Sequence, residues 1–362
     1  MSQPTGGSLS QRFVDQPQAV RSEDALELDR LLPWLREHIP DLPDGEPRVA
    51  QYPGGASNIT YALDFGNRTL ILRRPPFGTR PKSGHDMGRE YRVMSGLHGH
   101  FPVPEPLAAS DDESIIGAPF YVMEKLEGII LRRDLPDGLG LDAPAAGRLC
   151  RDFWQTLIDL HLLDPERVGL VDLGRPEGYV ARQVRGWNQR YERAATEDAP
   201  DAGAIMRWLD ENQRPENGRA SLIHNDYRFD NVVLSPDGQL RIIGVLDWEM
   251  CTVGDPQLDL GCALAYWIEA GDDEELAAIR MQPSHLPGMM TRGEVLAFYE
   301  KQTGQKVEDP AFLIAFGLFR LAVIAQQIYY RYAAGQTSNP RYRDFGPMVH
   351  LLVKRAARVA GI

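Results

Sequence analysis

The segment Leu222-Ile223-His224-Asn225-Asp226-Tyr227-Arg228-Phe229-Asp230-Asn231 starts as an apolar strand and turns polar at His224. It is followed by Val232-Val233-Leu234, a Ser235-Pro236-Asp237-Gly238 turn, and a run from Gln239 to Leu246 that ends at Asp247. Proline at the second turn position and glycine at the fourth fit a type I turn, so the two apolar runs are expected to pair as a hairpin, about 5 Å apart. Asn231 and Asp247 then emerge at the same end. An amide oxygen and a carboxylate gathered in this way suit a hard cation such as Mg²⁺, which takes oxygen donors and keeps several waters. Asp226 is a carboxylate of the kind that accepts a proton from an attacking hydroxyl.

Outward from this β-rich island, Ser221 to Asp247, the two flanks differ. Upstream, residues 48 to 127 read as short strands broken by turns: Val49 to Tyr52, Asn58 to Phe65, Thr69 to Arg73 and Phe120 to Leu126, with one helix from His85 to Leu97. Gly66-Asn67 between alternating apolar runs marks an antiparallel hairpin. A leader helix is expected from Ala25 to Ile39, where Ala25, Leu28, Leu31, Leu32, Leu35 and Ile39 follow a 3.6-residue period, with a kink or split at Pro33. Downstream the helical period takes over, at Ala145 to Leu162, Pro176 to Thr196, Ala202 to Glu211, Leu258 to Ala270, Arg292 to Thr303, Ala311 to Tyr332 and Pro347 to Val359. The resulting expectation is a flexible tail over 1–21, a β-rich lobe over 22–127 and a helical lobe over 128–362.

The spacing from Asp226 to Asn231, with Asp247 beyond a hairpin, resembles the catalytic loop of the aminoglycoside phosphotransferase and choline kinase-like superfamily. Within it the chain looks nearest the phosphotransferase-like domains related to those fused to acyl-CoA dehydrogenases. The resemblance runs from about Val49 to Gly261. It implies an α+β, bilobal protein-kinase-like fold with a small antiparallel β N-lobe and a large, mainly helical C-lobe. It also implies transfer of the γ-phosphate of ATP or GTP, with Mg²⁺, to the hydroxyl of a small molecule. Asp226 would then be the base, and Asn231 and Asp247 the metal ligands. Asp247-Trp248-Glu249 stands where protein kinases carry Asp-Phe-Gly, and no Ala-Pro-Glu follows, which speaks against a protein substrate.

Further roles follow from the same resemblance. Pro53-Gly54-Gly55-Ala56-Ser57-Asn58 matches the nucleotide-covering loop, where Gly54 and Gly55 permit close approach and Ser57 and Asn58 offer donors to phosphate. Leu70-Ile71-Leu72-Arg73-Arg74 matches the strand that ends on the phosphate-pairing lysine of kinases, here replaced by arginine. Alternation places Ile71 and Arg73 on one face and favours Arg73 over Arg74. Glu90 is its expected carboxylate partner, and Glu124 and Leu126 the backbone contacts for the adenine ring. Arg228 either stabilises charge on the transferring group or pairs with Asp230. His224 holds the loop through backbone hydrogen bonds, and Asp259 braces it from a helix. Glu249 either reaches a second metal or the substrate, or is a solvated loop residue. Asp255 before Pro256 reads as a helix N-cap.

The chain has 362 residues, 43% of them hydrophobic and 25% charged, the balance of a globular protein large enough for two lobes. A net charge of -12 disfavours nucleic acid as a partner and gives a weak pull toward cationic substrates. No window reaches about 18 uncharged apolar residues and no secretory pattern opens the chain, so a cytoplasmic protein without a membrane partner is expected. Cys150, Cys251 and Cys262 match neither a zinc nor a redox spacing and read as reduced packing residues. The acidic run Glu269, Asp272, Asp273, Glu274 and Glu275 could line a cleft for a polycationic substrate or form a solvated loop.

Overall fold

A computed structural model describes residues 13, 15–52, 58–76, 86–214, 219–337 and 339–362. In chain order the elements begin with α1 (Leu28–His38), β1 (Arg48–Gln51), β2 (Ile59–Asp64), β3 (Thr69–Arg74), α2 (Met87–Leu97), β4 (Pro106–Ser110), α3 (Glu113–Ile116) and β5 (Phe120–Glu124). They continue with α4 (Ala143–Leu162), α5 (Tyr179–Ala194), α6 (Gly203–Glu211), β6 (Ser221–Ile223), β7 (Val232–Leu234), β8 (Ile242–Val245) and β9 (Thr252–Gly254). The last are α7 (Pro256–Ala265), α8 (Glu274–Ala278), α9 (Arg292–Thr303), α10 (Pro310–Ala333) and α11 (Phe345–Ala360). Two compact units result, Met1–Ile130 with Asn231–Cys251, and Leu131–Asp230 with Thr252–Ile362.

In the first unit an antiparallel sheet has the order β1-β2-β3-β5-β4. The β2–β3 hairpin closes where Phe65 N donates to Arg68 O at 2.9 Å, and Gly66 takes the positive φ, 91°, that such a tight turn requires. Leu31, Leu35 and Ile39 of the leader segment pack with Tyr61, Leu63, Leu70, Leu72, Phe120 and Val122 in one apolar core. The leader helix is shorter than expected at its start and runs unbroken through Pro33. Pro33 withholds a hydrogen bond only from the carbonyl of Asp29, in the exposed first turn, where water can replace it. The described end of the expected tail is docked: Gln18 and Gln51 exchange backbone hydrogen bonds of 2.7 and 2.8 Å.

The boundary expected between 127 and 128 falls instead after Ile130, and residues 231–251 return to the first unit. Ile129 and Leu234 exchange backbone hydrogen bonds of 2.8 Å each, which fasten the β7–β8 hairpin to the end of the sheet. Gly128 permits this, since a Cβ there would lie 2.4 Å from Val233 Cγ1 and 2.5 Å from the Leu234 carbonyl oxygen. The hairpin's connection is wider than a single type I turn. Asp237 Oδ1 accepts from Ser235 Oγ and Gln239 N, Leu240 takes a φ of 54°, and β8 starts only at Ile242.

The second unit is mainly helical and centred on α10, whose most apolar stretch is 72% buried inside the fold. That helix is long and apolar enough to cross a membrane by composition, and its burial marks it as a core helix. It crosses α7 closely: a Cβ on Gly317 would lie 2.2 Å from the Gly261 carbonyl oxygen, and one on Gly261 2.4 Å from that of Leu313. Asp255 does cap α7, its Oδ1 accepting from Gln257 N and Leu258 N, with Pro256 at the first helical position. The helix expected to reach Ala270 ends at Ala265.

The acidic run is engaged within the same unit. Arg292 pairs with Asp272 at 2.6 Å and Glu269 at 3.3 Å, Arg355 with Asp272 at 3.2 Å, and Asp273 caps α8. It is neither an open acidic cleft nor a merely solvated loop.

Candidate active site

In the first unit, β-alternation turns Arg73 and Arg74 to opposite faces of β3. Arg73, buried, donates through Nη1 to Glu90 Oε1 at 2.5 Å and to the Tyr121 hydroxyl at 3.2 Å, and through Nη2 to Asp247 Oδ1 at 3.2 Å. Arg74 donates instead to the Ile116 carbonyl at 3.2 Å and lies over the Tyr61 ring. Burial works against the Arg73 charge, yet Glu90, Tyr121 and Asp247 outweigh it and raise the guanidinium well above its ordinary pKa. Glu90 is presented by α2, which is capped by Asp86 and tied to the Cys251 carbonyl by Arg89 Nη2 at 2.9 Å.

Asp247 leaves β8 in a left-handed conformation, φ 67° and ψ 62°, which for a residue with a Cβ costs about 1–2 kcal/mol. The neighbouring Trp248 fixes that conformation. It is fully buried, its Nε1 donates to the Val245 carbonyl at 2.9 Å, and its ring meets Phe101 edge-on at 5.7 Å. On the other side, Leu246 N donates to the Asn231 carbonyl at 2.8 Å, which holds the two candidate metal-binding residues at one end of the hairpin. Asp247 gives one oxygen to Arg73, and Oδ2 makes no hydrogen bond among the described residues. An amide and a carboxylate of this kind fit Mg²⁺, which binds through one or two protein oxygens with phosphates and water. Among the described residues no cluster of three His, Cys, Asp or Glu side chains is placed to hold a metal.

Gly54, Gly55 and Ser57 lie outside the described residues. Asn58 is described and buried, and its Nδ2 donates to Glu249 Oε2 at 3.2 Å. That bond ties the end of the expected phosphate loop to the turn carrying Asp247, a use of both side chains that the sequence did not foretell. Glu124 N is taken by the Glu105 carbonyl at 2.9 Å, and its carboxylate accepts from Glu105 N at 2.8 Å. Glu124 therefore keeps no backbone N–H for an adenine ring. Leu126, by contrast, makes no backbone hydrogen bond among the described residues, and its side chain fills the space a Cβ on Gly244 would occupy.

In the second unit the 224–226 loop hangs on one carboxylate. Asp259, on α7 and fully buried, accepts from His224 N at 2.9 Å and Asn225 N at 2.8 Å, and meets His161 Nε2 at 3.1 Å. His161 Nδ1 in turn lies 3.0 Å from the Tyr299 hydroxyl. His224 Nδ1 accepts from Asp226 N at 3.2 Å, and Asn225 takes a φ of 65°, so the loop is held bent. Asp226 receives the Tyr266 hydroxyl at 2.9 Å on Oδ1 and Arg228 Nε at 3.3 Å on Oδ2. Arg228 also meets Asp230 Oδ1 at 3.1 Å and lies over the Tyr266 ring at 5.3 Å. Burial pushes the Asp226 carboxyl up, but Arg228, Arg320 and His224, with the Tyr266 hydroxyl, hold it below its ordinary value. Asp226 is thus an ionised carboxylate beside two arginines.

Residues 48–292 match the family described as "Phosphotransferase enzyme family". The chain belongs to this phosphotransferase family. It is 33% identical over 349 residues to acyl-CoA dehydrogenase family member 11 of Gallus gallus, a match covering 93% of this chain and 43% of the chicken protein. The chain thus spans less than half the length of that relative. A solved Ralstonia eutropha structure, provisionally named an aminoglycoside phosphotransferase, superposes with a TM-score of 0.79 at 30% identity, over 93% of this chain and 99% of that one. A thermostable mutant of the aminoglycoside phosphotransferase APH(4)-Ia, solved with AMP-PNP and hygromycin B, superposes with a TM-score of 0.57 at 14% identity, over 91% and 98%. The fold is the kinase-like α+β fold of these phosphotransferases.

Reading the sequence gave no role to His161, Tyr121 or Arg320, and counted Tyr266, which bonds Asp226, only among the aromatics of the helical lobe. His161 lies 98 positions from Asp259, so no spacing rule reveals the pair. Tyr266 and Arg320 sit in apolar helical runs where a polar group near a reacting centre looks like ordinary core filling.

Proposed function

We propose that the protein transfers the γ-phosphate of ATP or GTP, held with Mg²⁺, to a hydroxyl of a small molecule. The observation that carries this reading is the buried Arg73 guanidinium joined to both Glu90 and Asp247. In a kinase fold, a charge set of this kind at that strand end suits a nucleotide phosphate chain. Asp226 would accept the proton of the acceptor hydroxyl as its oxygen forms a bond to the γ-phosphorus. The bond from that phosphorus to the β–γ bridging oxygen breaks, and the diphosphate leaves with the electron pair. Asn231 and Asp247 would hold Mg²⁺, which supplies charge neutralisation on the phosphates. Leu126 offers the backbone groups for the base. The three free, buried cysteines fit a cytoplasmic location.

The acceptor is proposed to be a metabolic alcohol or hydroxyacyl compound rather than an antibiotic. Its support is the acyl-CoA dehydrogenase relative and the engagement of the acidic run in internal ion pairs. A second reading, a nucleotide-binding module without turnover, is favoured by arginine in place of lysine and by its direct bond to Asp247. One experiment separates them. Asp247→Asn is expected to lower Mg²⁺-dependent nucleotide affinity at least tenfold by calorimetry, whereas Asp226→Asn keeps affinity and loses phosphoryl transfer by a factor of about 10² or more. Tight nucleotide binding by the wild type, with no phosphorylated product across a broad hydroxyl panel, supports the second reading. Unchanged binding and turnover in both variants ends the first.

A further inference from the structure

Three consecutive carbonyls, those of Tyr266, Trp267 and Ile268, follow the last residue of α7, where helical partners have run out. Side chains from later in the chain take them: Gln282 Nε2 donates to the Tyr266 oxygen at 3.2 Å, Arg292 Nη1 to that of Trp267 at 2.6 Å, and Ser284 Oγ to that of Ile268 at 2.8 Å. Gln282 has a second partner. Its Oε1 accepts from Phe229 N at 3.0 Å, in the stretch between Asp226 and Asn231, and the residue is only 1% exposed. These two partners fix the orientation of the amide, since an N–H requires its oxygen and a carbonyl requires its NH₂. A fully buried glutamine is retained where both ends are matched in this way.

The amide thus joins the main chain of the loop that carries Asp226 to the main chain that carries Tyr266, all of it within the second unit. The same two segments meet again where the Phe229 and Trp267 rings stack at 6.0 Å. Tyr266 closes the circuit from its side chain: its hydroxyl donates to Asp226 Oδ1 at 2.9 Å, and Arg228 lies over its ring at 5.3 Å. Burial and then the Asp226 charge raise the Tyr266 hydroxyl above its ordinary pKa, so it remains a donor. With its torsions held in one rotamer, a phenol hydroxyl sits only as firmly at a carboxylate as the main chain beneath it.

We propose that Gln282 is a positioning residue for the reaction: by tying Tyr266 to Phe229 it sets the Tyr266 hydroxyl on Asp226 and so fixes the orientation of the carboxylate that takes the acceptor's proton. The proposal rests on the phosphotransfer reading above. Orientation of this kind acts on the rate and not on nucleotide affinity, because proton transfer needs the base aligned and within hydrogen-bond reach of the attacking hydroxyl. Ser284 and Arg292 hold carbonyls further along, whereas Gln282 holds both the Tyr266 carbonyl and an N–H of the loop itself.

The test uses the purified full chain in two ways: labelled with fluorotyrosine for NMR, and unlabelled for hydrolysis of MgATP, with water as the acceptor. The fluorine resonance of Tyr266, assigned by its loss in Tyr266→Phe, is expected to move on Asp226→Asn, and in a Gln282→Met background that response should fall to less than half. A response in that background equal to the wild-type one overturns the proposal, whether or not the protein turns nucleotide over. In the kinetic arm, Gln282→Met and Tyr266→Phe are each expected to lower kcat about tenfold with KM for ATP unchanged, and the double variant to be no slower than the slower single one. Effects that multiply in the double variant, to about a hundredfold, mean that Gln282 does not act through Tyr266 and overturn the proposal as well. A wild type without any hydrolysis counts against the phosphotransfer reading, and the resonance then decides on Gln282 by itself. Should Gln282→Met not fold, Gln282→Glu in alkaline buffer takes its place. Its carboxylate still accepts from Phe229 N but has no hydrogen for the Tyr266 carbonyl, so the same loss of response is expected, and an undiminished response overturns the proposal.

Discussion

Asp259 meets three groups at once, two backbone N–H donors of the 224–226 loop and the His161 ring, and Asp259, His224 and His161 are buried. An asparagine in its place has one carbonyl oxygen to offer and turns an NH₂ toward the other donors, so at least one buried N–H is left unmatched. Charge-assisted bonds of this kind contribute about 1.5–3 kcal/mol each. Asp259→Asn is therefore expected to destabilise the protein by about 3 kcal/mol in urea unfolding and, in surviving folded protein, to lower kcat while leaving nucleotide affinity in place. A stable variant with wild-type kcat would refute the bracing role. The residues legible in the sequence, Asp226, Asn231, Asp247 and Asp259, stand in runs whose spacing carries chemistry. Arg73 was picked from Arg74 by the two-residue period of a strand, and the structure does give the two different faces and different partners. The use of the Glu124 N–H by the carbonyl of Glu105, just ahead of β4, was not visible in the sequence pattern.

The crossing of α7 and α10 shows what an element-scale pattern can and cannot say. Periodicity placed α10 within a residue of each of its ends, yet nothing in it marks Gly317 as a contact point with the Gly261 carbonyl. Gly317→Ala would bring a Cβ to 2.2 Å from that backbone oxygen, a group that cannot rotate away, so the helices must separate. Overpacking of this sort costs about 1–3 kcal/mol. Its effect is expected as a lower urea midpoint with an unchanged slope, and a midpoint at or above the wild-type value would show that the crossing has slack. The end of α7 was overestimated because Tyr266-Trp267-Ile268 continues the apolar pattern. The chain leaves the helix there since Ser284 Oγ bonds both the N–H and the carbonyl of Ile268, and Gln282 Nε2 donates to the Tyr266 carbonyl. Partners sixteen residues onward compete with the helix, and a local window does not contain them. β4 was missed for a different reason, since Pro106-Leu107-Ala108-Ala109-Ser110 has no β-branched residue and opens on proline.

At the scale of the whole chain, the return of 231–251 to the first unit depends on pairing between Ile129 and Leu234, far apart in sequence, and so escaped a linear reading. Charge is the other whole-chain property. With a net charge of -12 the folded protein carries self-repulsion at neutral pH, relieved where carboxylates face arginines. Asp226, Asp259 and Asp272 are each held below the ordinary carboxylate value despite burial, by Arg228 and Arg320, by His161, and by Arg292 with the Glu269 N–H. A carboxylate whose folded pKa is depressed stabilises above its unfolded value, about 3.9, and that contribution disappears as pH falls through the folded value. Asp230 and Glu90, raised first of all by burial, act with the opposite sign and gain on acidification. Asp272 separates the two effects best, because it joins α9 and α11 through Arg292 and Arg355 and lies outside the candidate site. Because Arg292 and Arg355 remain partly exposed the network is screened, and Asp272→Asn is expected to cost about 1 kcal/mol at pH 7, a shift in Tm of about 2 °C. The gap between wild type and variant should hold down to about pH 4, close as pH drops further, and narrow in 0.5 M NaCl at neutral pH. A gap that persists unchanged at pH 2.5 and in high salt would mean that Asp272 stabilises through shape and its neutral hydrogen bonds, and that the ionic account of the acid limb is wrong.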